Sequence, residues 1–195
     1  MNSFAQSVFL PLAGLAALLI FAACEPIKPE HCPYADWEAT GALHASKGYD
    51  SRLPGMVDTC MKVGVLPDAE SYLRGYQQGL LSFCTIENGW AWGQKQDLSP
   101  RICPPSMSAG FERGFEARSR LEALIIEETN TRQIRDSIEE RLLAGAPVVY
   151  SEIYEMRQLT QKLGRLDHER QRVRNGFANW LSNMGLVPPE DLFKY

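Results

Sequence analysis

The segment LLAGAPVVYSEIYEM, residues 142–156, decides how this chain folds. Gly145 is of the type that closes helices and Pro147 of the type that opens them, so the segment reads as a turn between two helices. On its C-terminal side, apolar residues recur at intervals of three and four: Val149, Ile153, Met156, Leu159, Leu163, Leu166, Val173, Phe177, Trp180 and Met184. Folding the chain about Gly145 sets Leu142 opposite Val149, Ile138 opposite Ile153, Ile134 opposite Met156 and Leu124 opposite Leu166. Continued downward, the same register puts Phe115 opposite Phe177 and Phe111 opposite Trp180. Matched seams of this kind predict an antiparallel helical hairpin over 106–184, from Ser106 to Leu143 and from Val148 to Met184.

At 1.5 Å per residue each arm extends roughly 55 Å, more than a compact domain of this length needs. The aromatic lower end can pack on the rest of the chain, whereas the stretch from Asn130 to Gln161 has no evident partner. Its charges (Arg135, Asp136, Glu139, Glu140, Arg141) read as a solvated face, and Glu127-Glu128 as an exposed pair. Arg170 interrupts the seam opposite Leu121 and is expected to reach Glu122 or to extend outward along its own stem. At the tip, Leu143, Val148, Tyr150 and Tyr154 form an apolar group that the seam does not require, and these are the candidate partner-binding residues.

Upstream, residues 34–105 form a region of short helices rich in Cys and Gly. Helices are expected near Tyr34–Gly48, Pro54–Val63 and Ala69–Cys84. Thr85–Pro105, with Gly, Pro, Trp90 and Trp92, reads as a structured loop. Glycine recurs every four residues (Gly75 and Gly79, Gly110 and Gly114, and Gly41 with Ala45). Each costs about 1 kcal/mol relative to Ala inside a helix, which implies close backbone packing there. No phosphate-loop spacing accompanies these glycines.

The first 23 residues read as a signal peptide, with the uncharged run VFLPLAGLAALLIFAA from Val8 to Ala23 too short to span a bilayer. The small pair Ala22-Ala23 before Cys24 resembles a lipobox, which makes Cys24 the expected lipidation site and the membrane the first expected partner. Residues 24–33 then form a tether, and Glu25 after the lipidated cysteine favours the periplasmic face of the outer membrane. Residues 185–195 are left as a C-terminal tail.

Setting Cys24 aside leaves Cys32, Cys60, Cys84 and Cys103, an even set that suggests two disulfides in an oxidising compartment, with three connectivities open. Cys32 with Cys60 and Cys84 with Cys103 is preferred because each bridge then closes a local loop. No CxxC occurs and the three histidines (His31, His44, His168) are scattered, so no metal or other cofactor is expected. With 20 basic and 24 acidic residues and no basic stripe, nucleic acid is not an expected partner.

The strings DWEATGALHASKG (36–48), YLRGYQQGLLSFC (72–84), NGWAWG, and Cys103-Pro104 ahead of FERGF (111–115) together resemble the YfiL-like family of uncharacterised proteobacterial lipoproteins. The resemblance covers about Cys32 to Glu140. It departs at His44-Ala45, where that family usually shows Asp-Gly. It implies an envelope lipoprotein and no particular chemistry.

No GxSxG, HExxH or GxGxxG motif is present. His44, a turn or two from Asp36, is the histidine best placed for chemistry, although a lone His on a packed helix usually serves packing. The chain is therefore expected to be all-α, with short disulfide-stapled N-terminal helices packed on a long antiparallel helical hairpin. Its expected role is that of a noncatalytic lipid-anchored scaffold, bound to an envelope protein or to itself. The alternative is a small-ligand or cell-wall-binding protein that uses Trp90 and Trp92.

Overall fold

The computed structural model describes residues 27–95 and 101–194, and among them it is all-helical. Six α-helices occur among the described residues: α1 (Trp37–Ser46), α2 (Leu53–Cys60), α3 (Ala69–Phe83), α4 (Ile86–Gly93), α5 (Pro105–Leu143) and α6 (Tyr150–Asn183). Two 3-10 turns, Pro29–Tyr34 and Met61–Val63, flank α1 and follow α2. Helix starts are fixed by side chains that satisfy otherwise unpaired amides: Asp36 accepts from Ala39 N–H, Asp68 from Ser71 N–H, and Thr85 from Asn88 N–H.

Two helix pairs carry the fold, and both are built in the same way. In the first pair, a methyl group added to Gly41 would lie 2.0 Å from the Tyr72 carbonyl oxygen, and one on Gly75 would lie 1.9 Å from that of Glu38. In the second, Gly89 meets the Phe111 carbonyl at 2.0 Å and Gly114 that of Ile86 at 2.3 Å. In each case a glycine opposes the carbonyl three residues before the partner's glycine. Gly79 against Ala42, and Gly93 against Phe115, continue the same rows, so both pairs run in the same direction. Same-direction helices need a return connection, and a disulfide closes each one. Cys32 before α1 bonds Cys60 at the end of α2, and Cys84 before α4 bonds Cys103 just ahead of α5, with Cα–Cα distances of 5.6 and 5.7 Å.

The order Cys, helix, return, Cys, helix thus occurs twice. The repetition is visible in Tyr72-Leu-Arg-Gly-Tyr76 and Phe111-Glu-Arg-Gly-Phe115, which occupy equivalent places on α3 and α5. The two units meet at an aromatic junction in which Phe83 lies 5.2 Å from Phe111 and 5.6 Å edge-on to Trp92, around the buried Ala45, Leu80 and Cys84.

Beyond the second unit, α5 continues and folds against α6 as the hairpin. Leu124, Ile138, Leu163 and Leu166 are buried between the arms, while Ile134 and Ile153 are half exposed, so the upper seam is thin. The lower register differs from expectation. Phe111 and Phe115 turn to the α3–α4 junction, because the glycine contact of Gly114 with α4 fixes which side of α5 faces that helix. Phe177 stacks instead on Trp90 and Trp180.

Three further expectations are corrected. The first α-helix starts at Trp37, because Tyr34 closes a proline-led 3-10 turn. The stretch from Thr85 holds α4, whose glycines lower local propensity yet are what let α5 approach. The segment after Met184 folds back, and Leu192 is buried in the Trp90–Phe177 cluster.

Glycine substitution separates close approach from mere helix propensity. Gly75→Ala is expected to lower stability by about 2 kcal/mol, because backbone must move to admit the methyl group. Gly164→Ala and Gly176→Ala, where nothing stands within 4 Å of the added carbon, should raise it by up to about 1 kcal/mol. Thermal unfolding of the three variants checks both signs.

Candidate functional site

The turn between α5 and α6 is set by hydrogen bonds that leave its apolar side chains outside. Gly145 adopts φ 85° and donates to Leu142 O at 3.1 Å, and Ala146 donates to Arg141 O at 3.1 Å, the double closure of a glycine-terminated helix. Pro147 follows, and Val149 caps α6 through its carbonyl, which accepts from Glu152 N–H at 3.0 Å. Arg141 on α5 and Glu152 on α6 form an ion pair at 2.6 Å that clasps the arms just below the turn. All four sequence-predicted residues stand in solvent: Leu143 is 81% exposed, Val148 65%, Tyr150 92% and Tyr154 66%. Val149 and Ile153, on the seam, are half exposed. Charged or small polar residues would be easier to solvate there, and aromatic side chains on a rigid helix end suit contact with another surface.

Midway down the hairpin the interior is polar. Glu128, expected on an exposed face, is buried between Arg132 at 2.5 Å and Arg170 at 3.1 Å. Arg170 therefore turns inward to Glu128 and Asp167 rather than to Glu122, since Glu128 lies on the inner face of α5 where an unpaired carboxylate would be costly. Beside them, burial and the neighbouring Arg170 push the Arg174 guanidinium below its ordinary value. Lower still, Arg118 is buried and pairs with Glu122 at 2.7 Å and Asp191 at 2.5 Å, while Trp90 Nε1 donates to the same Asp191 at 2.9 Å. These groups lock the C-terminal segment to α4 and α5.

The two tryptophans do not act together. Trp90 is buried, stacked on Phe177 and engaged by Asp191, so it offers no ligand-binding face. Trp92 borders a cleft of about 360 Å³ with Tyr49, Asn88, Lys47 and Lys95; the Lys95 ammonium lies 4.0 Å over its ring, and its buried Nε1 has no hydrogen-bond partner.

His44 meets Tyr72 and not Asp36, whose carboxylate caps α1. The fully buried Tyr72 hydroxyl accepts from Arg52 N–H at 3.1 Å and is hydrogen-bonded to His44 Nδ1 at 3.0 Å. Burial, then the Arg52 charge, push the imidazole below its ordinary 6.5. Sequence reasoning missed this bond. The pattern His44 four residues before Gly48, with Tyr72 three before Gly75, gave only helix faces, and the pairing depends on how α1 crosses α3.

Among the described residues, no group of three or more His, Cys, Asp or Glu could hold a metal ion, and no helix is long and apolar enough to cross a membrane. Cys24 lies outside the described residues.

Residues 36–119 match the model of a family described as a protein of unknown function (DUF2799). The matched span begins at the α1 cap and ends in the first turns of α5, so it coincides with the two glycine-packed pairs and excludes the hairpin's upper part. Neither the curated proteins nor the solved structures yield a match.

Because folding lowers the His44 pKa, the unfolded chain binds its proton first as pH falls. The stabilisation is complete above about pH 6.5 and is lost as pH drops below that value. Denaturant unfolding between pH 7.5 and pH 5, set points on the order of one unit either side of the histidine range, should show a decline in the wild type and a flatter profile in His44→Gln.

Proposed function

We propose that this chain is a noncatalytic, lipid-anchored envelope protein of the YfiL-like lipoprotein type that serves as a scaffold or partner-binding module. The lipidated residue is Cys24, and the location is the periplasmic face of the outer membrane. The observation that carries this reading is the hairpin tip, a rigid turn far from the disulfide-closed units that holds Leu143, Val148, Tyr150 and Tyr154 in solvent. From Phe111, at the junction, to Leu143 is about 48 Å along α5 at 1.5 Å per residue, enough to carry a contact well clear of the domain body. The occupant of the tip is an envelope protein or a second copy of the chain. The two disulfides fit an oxidising compartment, where Cys24 would be left over for lipid.

A second reading is favoured by one observation, the cleft beside Trp92 that is also lined by two lysines. It is a small-ligand or cell-wall-binding role for that cleft, with Trp92 in place of a tryptophan pair.

Two measurements test the proposal. Metabolic labelling with a fatty acid should tag the wild type and miss Cys24→Ser; equal labelling of both removes the anchor. Replacing Tyr150 and Tyr154 together by Ser should leave melting nearly unchanged, since both are exposed, yet abolish the principal cross-link formed in intact cells. Truncation of an aromatic anchor commonly costs 2 kcal/mol or more, about a thirtyfold loss of affinity. If cross-links persist in the double variant, binding belongs elsewhere, and the Trp92 cleft becomes the site to alter.

A further inference from the structure

A second set of apolar side chains stands in solvent, at the other end of the molecule's chain order. Tyr34 is 89% exposed, Leu66 73%, Met61 55% and Val63 49%. They come from separate stretches of sequence, but the Cys32–Cys60 bridge draws these together. It fastens the Pro29–Tyr34 turn to the end of α2, and that turn also contacts the Met61–Val63 turn. Val65 N–H bonds back to Cys60 O at 3.1 Å, which places Leu66 beside the same bridge. The edge thus formed is anchored on a buried disulfide and is not a fraying terminus: Cys32 and Cys60 are 1% and 0% exposed. Exposed Lys28 and Lys62 are balanced by exposed Glu30 and Asp58, so the edge is apolar with little net charge.

What can reach this edge is limited by the chain that precedes it. Only three residues, Glu25, Pro26 and Ile27, separate Cys24 from Lys28, four steps of chain or about 14 Å when fully extended. The 3-10 turn adds roughly 8 Å to Cys32 at 2.0 Å per residue. An acylated Cys24 would therefore hold the Cys32–Cys60 edge within about 22 Å of the bilayer, less than the thickness of one hydrocarbon core.

We propose that this edge, through Tyr34, Met61, Val63 and Leu66, rests on the surface of the membrane that anchors the chain. The inference stands on the reading of Cys24 as lipidated. Four side chains alone would bind a bilayer weakly, but tethering turns their insertion into an intramolecular event with a high effective concentration. A tyrosine ring suits the headgroup level, with its body apolar and its hydroxyl wet, and the aliphatic side chains suit the boundary beneath it. The lack of a basic cluster marks this as insertion of apolar groups rather than attraction to anionic lipid. The domain then lies fixed on one edge instead of swinging on its tether.

The test uses full-length lipidated protein in vesicles of phosphatidylethanolamine and phosphatidylglycerol, with or without brominated acyl chains. Tyr34→Trp and Leu66→Trp each add an indole on the edge, and Leu143→Trp adds one at the hairpin tip; all three sites are exposed, so folding should survive. The added emission at 34 and 66 is expected to be roughly halved by the brominated lipid, since a side chain at the headgroup and acyl boundary lies near the bromines. That at 143 should be unchanged. Floating protein whose indoles at 34 and 66 are quenched no more than at 143 overturns the docking edge while leaving the anchor standing. Protein that fails to float with vesicles overturns the anchor, and the docking edge with it. A photo-crosslinker at residue 66 that yields a dimer in the vesicles would assign the edge to a second copy, which also overturns the proposal.

Discussion

The contact of a glycine with a carbonyl oxygen on the neighbouring helix is the constraint on which the rest of this structure depends. At Gly41 and Gly75, and again at Gly89 and Gly114, the space for a side chain is occupied by partner backbone. Such an approach brings Cα–H groups against carbonyl oxygens and fixes both the crossing point and the rotation of each helix. Each pair follows one direction, so the chain must return between its two helices, and the disulfides close those returns. In the chain-entropy account, a bridge across 19 or 28 residues contributes about 3 kcal/mol, a large share of a small domain's stability.

Everything outside the two pairs takes its position from them. With Gly114 fixed against Ile86, Phe111 and Phe115 must point to the α3–α4 junction, which leaves the opposite side of α5 for α6. The hairpin then grows from a stiff base. Its own seam thins upward and contains a buried Glu128 held by two arginines, an arrangement that fixes register more than it adds stability. Where the seam ends, Leu143 and Tyr150 stand in solvent.

The two exposed apolar surfaces are built differently. The tip is a continuous local segment closed by the Gly145 turn. The edge around the Cys32–Cys60 bridge is assembled from three stretches brought together by that bridge. The helical length of α5 separates the tip from the aromatic junction.

Local sequence determined the all-helical class, the hairpin and its turn, since Gly145, Pro147 and the three-four spacing of apolar residues act within a few residues of one another. It also favoured the correct cysteine pairing, because each bridge closes a short loop. The exposed tip was legible for the same reason: a seam that does not use Tyr150 and Tyr154 leaves them outside. Tertiary structure alone decided what followed from helix rotation and long-range approach. Helix α4 was hidden because Gly89 and Gly93 weaken a helical reading, and only the nearness of α5 explains them. Trp90 and Trp92 looked equivalent until Asp191, 101 residues further on, engaged one of them. Glu128 looked solvated until the arms closed with Arg170 beside it. His44 found Tyr72 rather than Asp36 because the crossing of α1 and α3 is fixed by backbone contact at glycine, and a glycine's partner is not written in its neighbours.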